Sequence, residues 1–135
     1  MTRPATPRGM LLIDILVGIA VIGIVFTGVF GAFQLAVAAV ARAKGEVEGS
    51  ALLNSEMEYV RSLPYGEVGV AGGTPDGALS AVSVQSENGI SYTIRTVVGY
   101  ADAGHDYKAV LVTVSWQSGN GSLADSAESY VAPPD

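Results

Sequence analysis

Charged positions divide this chain more sharply than anything else in it. After Arg8 no charged residue appears through Ala41 except Asp14, and the uncharged run from Ile15 to Ala41 is 27 residues long. As a helix that run is about 40 Å long, and a bilayer's hydrocarbon core is about 30 Å thick. Good helix formers fill it, and no proline interrupts the chain between Pro7 and Pro64. The pattern predicts a spanning helix over 10–41, apolar on every side. Residues 1–9, MTRPATPRG, form a short basic leader whose prolines discourage helix.

From residue 42 to 63 the pattern becomes one-sided. Leu53, Met57 and Val60 share a face with Leu52, Tyr59 and Leu63 beside it, while Glu46, Glu48, Glu56, Glu58 and Arg61 take most of the remainder. This spacing predicts an amphipathic helix. Pro64 ends it, because the residue before a proline is biased out of helical geometry. Taken as one element, Met10 to Leu63 would extend about 80 Å, with Gly45 and Gly49 as weak points where a bend could form. Residues 64–77, rich in glycine, read as a loop.

Beyond residue 77 the period changes to two. Strands are expected over Ala78–Ser86, Ile90–Tyr100 and Tyr107–Gln117, with a short fourth at Ser126–Val131. Asn88-Gly89 marks a hairpin turn and Ser118-Gly119-Asn120-Gly121 a second turn. Val110, Val112, Val114 and Trp116 should face one way, and Leu111, Thr113 and Ser115 the other. Strands that follow one another without helices make an antiparallel sheet with one buried face. The Leu53/Met57/Val60 stripe is the helical face available to cover it. The fold expected is α+β: a long amino-terminal helix packed on a small antiparallel sheet of three or four strands, the head occupying 78–135.

Composition sharpens this picture. The formal net charge is −6, and without the first nine residues it is −8, from 5 basic against 13 acidic side chains. Such a surface repels phosphate backbones, and no basic patch offsets it, so nucleic-acid binding by this chain alone is not expected. Cysteine is absent, which excludes disulfides, thiolate metal sites and cysteine nucleophiles.

Asp14 is the anomaly. A carboxylate at the centre of a spanning helix costs about 2.5–3.5 kcal/mol. A secretory signal peptide accounts for an apolar amino terminus, and Ala41-Arg42-Ala43 has an A-x-A form, but the run is about twice the 7–15 residues of such a region. A plain single-pass anchor accounts for the length and leaves Asp14 unexplained. Arg3 and Arg8 before the run are matched by Arg42 and Lys44 after it, so counting positive charges is indecisive, and the basic leader favours an inside amino terminus.

The stretch Gly9-Met10-Leu11-Leu12-Ile13-Asp14-Ile15-Leu16 resembles the processing site of type IV prepilins and pseudopilins, in which a short basic leader ends in glycine and an acid stands fifth in the apolar stretch. The resemblance implies cleavage after Gly9 by a prepilin peptidase and methylation of the new amino terminus on Met10. It also implies that Asp14 meets the terminal amine of a neighbouring subunit during assembly. Family members more often carry Phe at the place of Met10 and Glu at that of Asp14. The motif covers residues 8–35, and the likeness beyond is architectural, nearer a minor pilin or pseudopilin than a major one. A buried acid is tolerable beside a cation and costly alone, which suits that role. The plainer account is an acid that reaches the nearby headgroups. Gly23, Gly28 and Gly31 are the expected place for helix loosening on packing, since each interior glycine weakens a helix by about 1 kcal/mol relative to alanine; close helix approach is the alternative use.

Little else suggests chemistry. His105 is the one histidine, and no P-loop, dinucleotide fingerprint or zinc spacing is present. Asp102 and Asp106 flank a glycine and are weak cation candidates, though such a stretch is more often a hydrated turn. Tyr92, Tyr100, Tyr107 and Trp116 read as core or cross-strand residues. No enzyme and no cofactor is expected. The expected partners are a prepilin peptidase, other pilin or pseudopilin subunits, the cytoplasmic membrane and an assembly platform, with the head ending in a cell-surface or periplasmic filament. The alternative is an anchored extracytoplasmic binding domain that never polymerises.

Overall fold

The structure is a computed structural model that describes residues 8–104, 106–119 and 121–134, with side chains from Leu11 onward. Most of the expected leader, His105 and Asn120 lie outside the described residues. Helix α1 runs Arg8–Ser62, 55 residues, and is followed by a 3-10 turn at Tyr65–Glu67 and four strands: β1 (Val82–Glu87), β2 (Ile90–Tyr100), β3 (Lys108–Ser118) and β4 (Gly121–Val131). The fold is α+β, as the pattern predicts. The chain divides into two compact units at Val40–Ala41.

In the first unit, every described side chain from Leu11 to Val40 is exposed. Among the described residues nothing covers Leu35 (74% exposed) or Ile24 (73%). A helix greasy all round is stable only when lipid or other helices take up its surface. One helix near the amino terminus is therefore long and apolar enough to cross a membrane.

The second unit places the carboxy-terminal part of α1 on an antiparallel sheet in the order β1-β2-β3-β4. Alternation decides which face is buried: Tyr92, Ile94, Thr96 and Val98 of β2 and Val110, Val112, Val114 and Trp116 of β3 point inward. Leu53, Met57 and Val60 of α1 meet them, and Val68 and Leu79 close the far end. Each such side chain contributes about 1.5–3 kcal/mol on full burial. Asn88 (φ 50°) and Gly89 (φ 81°) form the β1–β2 turn. Positive φ at both central positions matches the strand twist, which is why Asn-Gly is favoured there.

Two expectations need correction. β1 starts at Val82 rather than Ala78, because the loop consumes the residues before it: the amides of Ala78 and Leu79 donate to the Glu67 and Gly69 carbonyls, both at 2.9 Å. Leu79 also forms a parallel bridge with Val70. β4 is no short addition but an 11-residue strand, paired with β3 from Ser118↔Gly121 to Lys108↔Val131. Helix α1 runs unbroken through Gly45 and Gly49. Both glycines are buried because the Trp116 ring lies against them. A Cβ on Gly49 would stand 2.7 Å from Trp116 Cζ3, and one on Gly45 would stand 3.1 Å from Nε1.

Candidate functional site

Within the apolar part of α1, Asp14 is exposed, and no hydrogen bond or ion pair to it is found among the described residues. Gly9 and Met10 continue the helix backbone upstream, and four residues on an α-helix place Met10 about one turn from Asp14. Their side-chain surroundings lie outside the described residues. Gly23, Gly28 and Gly31 are all helical, and an added Cβ at any of them meets nothing within 4 Å. None is required for packing within the chain. Thr27 Oγ1 donates to the Gly23 carbonyl at 2.8 Å, the back-bonding that tends to bend helices slightly.

Just past the apolar run, two cations are already engaged along the helix. Arg42 pairs with Glu46 at 3.0 Å and Lys44 with Glu48 at 3.9 Å. Exposed pairs of this spacing contribute about 0.3–0.5 kcal/mol each. Glu48 also reaches the sheet, accepting from Tyr92 Oη at 3.0 Å and from Asn88 Nδ2 at the hairpin. Tyr92 Oη also lies 3.3 Å from the Gly45 carbonyl oxygen, the alternative acceptor for its single proton. Burial, reinforced by the bond to Glu48, pushes the Tyr92 hydroxyl up to about 12. Tyr92 and Trp116 face each other across β2 and β3 with ring centroids 5.7 Å apart. Trp116 Nε1 is buried with no hydrogen-bond partner. This seam extends the contact of α1 with the sheet beyond the Leu53/Met57/Val60 stripe.

At the far end of the sheet, Lys108 is 4% exposed. Its ammonium donates to the carbonyls of Tyr65 (2.8 Å) and Val68 (2.6 Å) and lies 4.5 Å from the centre of the Tyr65 ring. Burial lowers its pKa. Backbone oxygens and an aromatic face thus take the place of a carboxylate partner. The contact ties β3 to the segment that follows α1.

The loop holding the two candidate cation ligands is closed by its own backbone. Asp102 Oδ1 accepts from the amides of Asp106 and Tyr107, both at 3.1 Å, and the Ala101 amide donates to the Tyr107 carbonyl at 2.9 Å. The other carboxylate oxygens of Asp102 and Asp106 converge on Gly104, each 3.0 Å from where its Cβ would be. The structure therefore brings these two side chains together, and one oxygen of Asp102 is spent on the turn. Among the described residues no group of three metal-ligating side chains occurs.

Sequence reasoning singled out Asp14 and the Asp102–Asp106 loop, and it missed Lys108 and the Trp116 seam. The i,i+4 spacing of Gly45 and Gly49 was the signal for the seam. For Lys108 the signal was its place in line with Val110, Val112, Val114 and Trp116 on the buried face. No protein-family model, curated protein or solved structure matches this chain.

Proposed function

We propose that the chain is a structural subunit of a type IV pilin-like filament, or of a secretion pseudopilus. It is cleaved after Gly9, methylated on Met10, held in the cytoplasmic membrane with its amino terminus inside, and assembled through its apolar helix. The observation that carries this reading is Asp14: a carboxylate without a partner among the described residues, five positions after Gly9, on a helix with no other charge between Arg8 and Arg42. A cation supplied by the amino terminus of an adjoining subunit would offset the cost of that charge in lipid. The exposed surface of 11–40 supports the same reading, since many copies packed side by side would bury it. The head, with a core of its own, would form the filament's outer surface.

Intact mass of the protein from its native host tests the proposal. The expected chain starts at Met10 and carries one added methyl group. A chain that retains residues 1–9 defeats the reading in favour of a non-polymerising anchored domain. A start near Lys44 points to release by signal peptidase. Asp14→Ala should leave cleavage intact and lower recovery in sheared filaments by about tenfold or more, the scale set by a 1.4 kcal/mol change. Unchanged recovery would refute the assembly role.

A further inference from the structure

The face of the sheet turned away from α1 is nearly devoid of charge. On that face of β2, β3 and β4, Arg95 and Glu128 are the only charged side chains among the described residues. Val97 (51% exposed), Leu111 (41%) and Tyr130 (64%) are open on it. Arg95 makes no hydrogen bond or ion pair among the described residues. It stands on β2 and Glu128 on β4, with β3 between them.

We propose that this face joins two copies of the chain about a two-fold axis running along β3. The strand registers supply the argument. Tyr130, Ala109 and Gly99 form one cross-strand row, Glu128, Leu111 and Val97 the next, and Ser126, Thr113 and Arg95 the third. A two-fold along β3 lays β2 of one copy over β4 of the other, row for row. Tyr130 then covers the partner's Gly99, where even an added Cβ would meet nothing within 4 Å. Leu111 meets the partner's Leu111 on the axis. Arg95 falls one row, about 7 Å along the strand, from the partner's Glu128, and the pair occurs twice by symmetry. With the sheets about 10 Å apart, the two side chains of each pair point toward each other across the interface, whereas within one chain they stand side by side with β3 between them.

Area and direction agree with this pairing. Three strands of 11 residues, at about 3.4 Å per residue and 4.8 Å per strand, present about 540 Å² per copy. The two copies together bury about 1,100 Å², just above the roughly 1,000 Å² a specific interface should clear. Aligned sheets pack in this face-to-face manner in β-sandwiches. The chain enters the head at the end where Gly45 lies by Ile90 and Trp116. An axis along the strands keeps both entry points at one end. An axis across the strands would set them at opposite ends. The pairing is separate from assembly through the apolar helix and does not depend on it.

The absence of cysteine makes the test direct. Full chains carrying Thr113→Cys, near the axis, are placed in lipid vesicles and treated with a short bis-maleimide. Chains with Asn54→Cys, on an exposed position of α1, report chance encounter and helix-driven association. The expected result is at least tenfold more linked dimer for Thr113→Cys than for Asn54→Cys. Adding Arg95→Glu to Thr113→Cys should abolish the excess, and Arg95→Glu with Glu128→Arg should restore it. Equal linking at the two positions overturns the proposal. So does an excess that survives Arg95→Glu, or one that the double reversal fails to restore.

Discussion

Replacing Gly49 by alanine isolates the contact between α1 and the sheet. The new Cβ would stand 2.7, 2.9 and 3.0 Å from Cζ3, Cη2 and Cε3 of Trp116. The indole has little room to yield, being 5% exposed and set against Tyr92 on its neighbouring strand. Overpacking of this kind costs about 1–3 kcal/mol. Against it stands the gain of about 1 kcal/mol from replacing glycine with alanine inside a helix. The net expectation is a loss of about 1 kcal/mol, which at an m-value of about 1–3 kcal/mol per M lowers the urea midpoint by roughly 0.3–1 M. Gly45→Ala meets Trp116 Nε1 at 3.1 Å, a milder contact, and should move the midpoint less. Trp116 is the sole tryptophan, so its emission follows the seam alone. Urea titration of the full chain in detergent, read by that emission, should place Gly49→Ala lowest, with a red-shifted native spectrum. A Gly49→Ala midpoint at or above wild type with an unshifted spectrum would refute the packing argument.

Two further outcomes follow from the buried polar groups. Lys108→Met removes the donors to the Tyr65 and Val68 carbonyls and should destabilise the head by about 1–3 kcal/mol, the cost of leaving a buried acceptor unsatisfied. Faster proteolytic nicking within 64–79 would report it. The Tyr92 hydroxyl titrates near 12 in the folded chain against an ordinary value of 10, so the unfolded chain loses this proton first. The stability it contributes is whole below pH 10 and declines as the pH climbs to about 12. The advantage of wild type over Tyr92→Phe should therefore shrink across that window in pH-dependent denaturation, and a constant advantage would contradict it.

The candidate site was legible where it broke a rule of composition. Asp14 stood out because lipid penalises a lone charge wherever it occurs, and no tertiary information is needed to see that. The Asp102–Asp106 loop was legible as a turn because carboxylates cap backbone amides locally. Lys108 was not, since lysine mostly keeps its ammonium in water. Its burial depends on the Tyr65 and Val68 carbonyls, 43 and 40 residues away in the chain.

What the sequence determined by itself is what short-range physics controls. The apolar length of 15–41, the Leu53/Met57/Val60 stripe, the alternation of β2 and β3 and the positive-φ Asn88-Gly89 turn are properties of neighbouring residues. They appear in the structure where the pattern put them. Tertiary structure decided the rest. The first five residues of β4, Gly-Ser-Leu-Ala-Asp, have little strand preference of their own and are strand because β3 offers partners along its whole length. Residues 78–81 adjoin a strand-forming run, yet the amides of Ala78 and Leu79 are taken by the loop at 67–69. Gly45 and Gly49 look like weak points in an isolated helix and become contact surface once an indole fills the space beside them. In each case a partner distant in sequence competes with local preference, and it prevails because a buried backbone group or ring must find contacts somewhere.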